Sequence, residues 1–198
     1  MEFEPKVFGI GLPWTGQAAL YEALKTLKYR VVHDPEDTQM WCAAQQSRTD
    51  FILLQKYDGI VGLPASLVES LDVTWPGSKF ILTVRDRKFW LPQAKKAYAK
   101  LPPPLHHALP APLGLDRFRR HVQPSAVEDT LLDYYKATYI RTIQYFYGVA
   151  RPNALLMLNV CRSDGWKSLC EFLDRPVPRK AFPQGSCEIE GCCRSCKG

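Results

Sequence analysis

At 198 residues, 46% hydrophobic and 23% charged, the chain is long enough for one soluble globular domain with a sizeable core. No run reaches the ~20 apolar residues of a membrane span. The acidic start Met1-Glu2-Phe3-Glu4 lacks the apolar core of a signal peptide, so a cytoplasmic chain with unpaired cysteines is the expectation. The net charge of +6 suits an anionic ligand, but equally nucleic acid, an anionic membrane or solubility alone.

Val7, Phe8 and Ile10 form a short apolar run and predict a buried first strand. From Gln17 on, Leu20, Leu24 and Leu27 recur at helical spacing. Between them lie Gly11 and Gly16, with Gly9 just before. Strand, glycine-bearing loop and helix form a phosphate cradle, because a helix start aims free N–H groups and its positive dipole end at an anion. The alternative is a tight turn that binds nothing. The dinucleotide fingerprint fails, since its sixth position counted from Gly9 is Trp14. The nucleoside-triphosphate loop keeps its glycine frame at Gly11 and Gly16. Gln17 and Ala18, however, replace its lysine and magnesium-holding hydroxyl, so an ATPase or GTPase is not expected.

Arg30–His33 predicts a second short strand, ended by Asp34-Pro35. Residues 36–56 read as helical, with Trp41, Ala44 and Ile52 as core candidates. A third strand is expected at Gly59–Val61 and a helix over Ala65–Leu71, with Pro64 at its start. Trp75-Pro76-Gly77 is a turn, followed by a strand over Phe80–Val84 that ends at Arg85-Asp86. The next helix spans about Phe89 to Lys100 and carries Pro92 in its first turn. Residues 101–114 hold five prolines and read as a loop, a lid or a linker. A long helix is expected over Val127–Gly148, a last strand over Ala154–Leu158 and a last helix over Gly165–Leu173. Alternating strands and helices imply a parallel sheet covered on both faces. Ligands of such sheets sit beyond the strands' carboxyl ends, which places Leu12–Ala18, His33-Asp34, Gly62 and Arg85 on one edge.

The run Gly11-Leu12-Pro13-Trp14-Thr15-Gly16-Gln17-Ala18-Ala19-Leu20 resembles the donor loop of P-loop sulfotransferases. Those more often read Gly-Leu-Pro-Arg-Thr-Gly-Thr-Thr-Ser-Leu and bind the 5′-phosphosulfate of PAPS (3′-phosphoadenosine 5′-phosphosulfate). The nearest branch holds short sulfotransferase-like proteins, some labelled NAD-dependent epimerases, a label that does not suit this loop. Gly62-Leu63-Pro64-Ala65, Lys79–Trp90 and Gly165–Pro183 also match, so the resemblance spans residues 6–184.

The resemblance implies a three-layer α/β P-loop fold with a central parallel sheet flanked by helices, over residues 1–184. It implies a donor site built from Gly11, Pro13, Trp14, Thr15, Gly16, Gln17 and Ala18. Arg85 takes the 3′-phosphate, helped by Gln93 where relatives usually carry a serine. Trp14, Gln17 and Ala18 stand where an arginine, a threonine and a threonine or serine are usual. Trp14 offers instead a ring that can stack or cap the loop. Arg87, Lys88, Lys95 and Lys96 add positive charge nearby.

The implied activity is sulfuryl transfer from PAPS to the hydroxyl of a small-molecule or glycan acceptor, leaving PAP, the desulfated product. The alternative is a pseudoenzyme that keeps nucleotide or partner binding. No nucleic acid and no metal are expected. His33 is the candidate base, with His106 and His107 behind it; its pKa class suits proton abstraction near neutrality. Gly62 stands where relatives often carry an aspartate. The tail, residues 185–198, holds Cys187, Cys192, Cys193 and Cys196 packed too closely for a zinc knuckle. It is expected to be disordered with free thiols, or else a lipidated peripheral membrane contact beside Arg194 and Lys197.

Overall fold

The computed structural model describes residues 4–33, 56–99, 124–160 and 165–183. The expected helix over residues 36–56 (all but its last residue), the proline-rich stretch, His106, His107 and the cysteine tail lie outside the described residues. Among the described residues five strands form one sheet in the order β2-β3-β1-β4-β5: β1 Val7–Gly11, β2 Val31–His33, β3 Gly59–Leu63, β4 Lys79–Thr83 and β5 Leu155–Leu158. Every pairing is parallel. Among the described residues, five α-helices flank the sheet: α1 Gln17–Thr26, α2 Val68–Thr74, α3 Arg87–Ala99, α4 Val127–Gly148 and α5 Gly165–Leu173. The fold is the α/β class with a helix-flanked parallel sheet that the sequence predicts.

The strands read as nearly continuous apolar runs because both faces of the sheet are covered. Successive side chains point to opposite faces and so fall into two cores. Phe8, Ile10, Ile60, Phe80 and Leu82 pack with Trp75, Trp90 and Phe146 under α2, α3 and α4. Val7, Val61 and Ile81 pack with Leu20 and Leu24 of α1 and Trp166, Leu169 and Cys170 of α5. Phe8 and Phe80 are register partners with ring centroids 5.2 Å apart, and Phe80 meets Phe146 of α4 at 5.0 Å. All three are fully buried, each contributing about 1.5–3 kcal/mol through removal from water.

Several boundaries move. The helix expected over Ala65–Leu71 is a 3₁₀ turn, Ala65–Leu67, that runs into α2. α3 begins at Arg87, so Pro92 sits in its second turn rather than its first and leaves one intrahelical bond unmade. β5 begins at Leu155 because Pro152–Ala154 forms a 3₁₀ turn. Leu27 caps α1 instead of extending it. The turn after α2 has the type II pattern: Pro76 precedes Gly77 at φ +81°, and the Ser78 N–H donates to the Trp75 carbonyl at 3.2 Å.

Candidate active site

β1 lies at the centre of the sheet, between β3 and β4. The chain leaves β1 toward β2 on one side and leaves β4 toward β5 on the other. Their carboxyl ends therefore flank the topological switch point, where open parallel sheets hold ligands. The loop after β1, residues 12–16, and the segment after β4, residues 84–86, meet at this crevice.

The loop is wound by three residues in the left-handed region: Gly11 at φ +143°, Trp14 at +62° and Gly16 at +104°. Glycine is required at two of them. A β-carbon at Gly11 would meet the Thr83 Oγ1 and carbonyl, and one at Gly16 would run into the Val160 side chain. Gly16 is also the N-cap of α1, with no side-chain cap and no acidic residue in the first turn. The start of α1 thus keeps its positive dipole end uncompensated, which is the electrostatic requirement of an anion cradle.

The side chains of the loop brace it. Thr15 is fully buried and its hydroxyl lies 2.6 Å from both the Leu12 carbonyl and Thr83 Oγ1. A hydroxyl has one proton, and only Thr15 can donate to the carbonyl. Thr83 then supplies the proton of the Thr15–Thr83 pair, with the Ile10 carbonyl a longer alternative at 3.3 Å. The contribution of Thr15 to any ligand is therefore its backbone N–H, not its hydroxyl. Gln17 donates its side-chain amide to the Gly11 carbonyl at 3.1 Å. Ala18 is exposed on the first turn of α1.

Three further ties come from outside the loop. Arg85, 7% exposed, donates from Nη1 to the Trp14 carbonyl at 2.8 Å. Trp90 of α3 donates its indole N–H to the Pro13 carbonyl at 3.0 Å. Tyr135 of α4 donates its hydroxyl to the Arg85 carbonyl at 2.7 Å. Burial raises the Tyr135 and Tyr139 hydroxyls above the ordinary tyrosine range; of the two, Tyr135 is the one that donates to the Arg85 carbonyl. The Trp14 side chain is half-buried and packs against the larger core, in the role of a loop cap.

The remaining sequence candidates are more scattered. His33 stands at the carboxyl end of β2, with β3 between it and β1, about 10 Å along the sheet at the usual strand spacing. Its ring stacks on Tyr21 of α1, centroids 5.2 Å apart. Gly62 is a bulge: β1 pairs Gly9 with Val61 and Ile10 with Leu63, and Gly62 takes φ +101°. Gln93 is half-buried in the second turn of α3. Arg87 and Lys88 are exposed at the start of that helix, whereas Lys95 is spent on Glu128 of α4 at 2.7 Å. Thr83, Trp90, Tyr135 and Val160 were not singled out for the site from sequence. The contacts of Thr83, Trp90 and Tyr135 join residues 50 to 77 apart in the chain, Val160 meets Gly16 from farther still, and no spacing pattern signals such pairs.

The architecture is that of an α/β protein with a helix-flanked parallel sheet and a wound loop leading into a helix at its switch point. The chain matches the sulfotransferase domain family over residues 6–188, and it belongs to that family. It is 28% identical over 217 aligned positions to Ava biosynthesis cluster protein M of Aspergillus versicolor, covering 90% of this chain and 79% of that protein. Among the described residues, no helix is long and apolar enough to cross a membrane.

Proposed function

We propose that the protein is a PAPS-dependent sulfotransferase acting in the cytoplasm on the hydroxyl of a small molecule. The observation that carries this reading is the cradle itself: an uncapped α1 start, wound by Gly11, Trp14 and Gly16 and tied across the switch point to Arg85. The 5′-phosphosulfate would lie against the backbone N–H groups of residues 14–18, with the 3′-phosphate toward Arg85 and Gln93. In the reaction the acceptor oxygen forms a new S–O bond as the S–O bond to the 5′-phosphate breaks. The hydroxyl proton passes to a base, for which His33 is the candidate, and PAP leaves. The relative's name refers to a biosynthesis cluster, which favours a small-molecule acceptor over a glycan.

The missing family side chains set the expected rate. Gln17 is occupied with the Gly11 carbonyl and Ala18 offers no donor, so backbone groups carry the binding. Transition-state stabilisation needs groups aimed at developing charge, so turnover is expected to be slow. Calorimetry with PAP, followed by labelled PAPS against a panel of phenols, alcohols and sugars, tests the proposal. Micromolar PAP binding with measurable transfer supports it. Absence of PAP binding at millimolar concentration sinks the donor site, and binding without any transfer leaves a nucleotide-binding pseudoenzyme.

A further inference from the structure

The loop's anchors converge on α4, an element that contributes no residue to the cradle. Tyr135, in the third turn of α4, donates to the Arg85 carbonyl at 2.7 Å, while the Arg85 guanidinium donates to the Trp14 carbonyl at 2.8 Å. The Tyr135 ring also packs on Trp90, centroids 5.2 Å apart, and Trp90 holds the Pro13 carbonyl. Two routes therefore run from one side chain to adjacent carbonyls of the loop.

We infer that Tyr135 is a positioning residue for the phosphate loop: its hydroxyl holds the Arg85 backbone in place, and with it the guanidinium that keeps Trp14 left-handed. An arginine side chain has several free torsions, so its donor end is located no better than its own backbone. Trp14 at φ +62° is a conformation that a residue with a β-carbon keeps only where its surroundings over-determine it. The consequence for donor binding rests on the PAPS reading; the consequence for loop order does not. Tyr139, one turn further on, is the natural comparison. Its ring meets Tyr135 edge-on at 4.6 Å, and its buried hydroxyl feels the Tyr135 hydroxyl and the Arg85 backbone without a well-formed hydrogen bond to either.

The test compares the full chain with Tyr135→Phe and Tyr139→Phe, each alone, by amide hydrogen exchange, melting temperature and PAP calorimetry. For Tyr135→Phe, amide exchange at Leu12 and residues 14–18 should quicken about 3- to 10-fold and PAP affinity should fall by a similar factor, as expected for one lost hydrogen bond. Tyr139→Phe should change neither. On a Trp14→Gly background, where glycine holds the left-handed turn unaided, Tyr135→Phe should no longer alter loop exchange. Unchanged loop exchange in Tyr135→Phe overturns the inference. So does equal quickening in both tyrosine variants, quickening spread evenly over the whole chain, an effect that persists with Gly at position 14, or failure of Tyr135→Phe to fold. If the unaltered protein binds no PAP, the functional proposal falls and the exchange measurements still decide the positioning role.

Discussion

Arg85 anchors the loop, and we propose that it also takes the donor's 3′-phosphate; a substitution can separate the two. Its guanidinium is buried and donates to the Trp14 carbonyl, so it belongs to the loop's scaffold. Arg85→Ala is expected to weaken PAP binding by at least ~1.5 kcal/mol, the lower range for a charged hydrogen bond. It should also lower the melting temperature by several degrees, because a buried donor and its packing volume are lost together. A variant that loses PAP binding with an unchanged melting temperature would assign the guanidinium to the ligand alone. The loop itself is probed by the triple change Trp14→Arg, Gln17→Thr, Ala18→Thr. This restores the family's side-chain donors and should raise the transfer rate more than it raises PAP affinity. Equal gains in both would show that these groups act in the ground state.

Among the elements, the helix ends share an unusual economy. α1, α4 and α5 are followed by Lys28, Ala150 and Asp174, all in the left-handed conformation at φ +68°, +54° and +55°. At each, paired bonds close the end: Lys28 and Tyr29 donate to the Lys25 and Leu24 carbonyls, Ala150 and Arg151 to Tyr147 and Phe146, and Asp174 and Arg175 to Glu171 and Cys170. This is the Schellman arrangement, which usually uses glycine at that position. A β-carbon there costs roughly 1–2 kcal/mol, partly offset by the greater chain entropy that glycine would lose. Ala150→Gly should therefore raise stability by about 0.5–1 kcal/mol, read from the denaturant midpoint. No gain would mean that the end of α4 is held by its tertiary contacts rather than by its own backbone preference.

For the molecule as a whole, α4 is fastened at two points, to the segment after β4 and to α2. In its third turn Tyr135 reaches the Arg85 backbone; near its finish Tyr145 donates to Asp72 of α2 at 3.1 Å, and Arg151, just past the helix, pairs with the same carboxylate. Burial, and then the negative charge of Asp72, push the Tyr145 hydroxyl up to about 12. The unfolded chain loses that proton near the ordinary value of about 10. Below pH 10 the contribution to stability is complete; between pH 10 and about 12 the unfolded state deprotonates first, and the contribution falls as pH rises. The stability difference between the unaltered protein and Tyr145→Phe should thus shrink across that window. A difference that stays constant to pH 12 would rule out the Tyr145–Asp72 coupling.

Local chemistry made much of this protein readable from its sequence. The apolar runs at Val7–Ile10 and Phe80–Leu82, and the helical periodicities of α1, α4 and α5, are set by neighbours a few residues away. The strand–loop–helix frame at Gly11 and Gly16 is likewise local, and it sufficed for the fold class and the family. Tertiary structure alone decided which side of each residue does the work. Thr15 looks like a donor for the ligand and is instead a buried brace, because Thr83 arrives beside it from β4. Arg85 looks like a phosphate ligand and also proves to be a loop anchor, and Tyr135 looks like one more core residue of a long helix until its hydroxyl meets the Arg85 carbonyl. Those partners are 50 to 71 residues apart in the chain. Periodicity reports on burial along one element, whereas a hydrogen bond between elements depends on strand order and register, which the packing of the finished sheet sets.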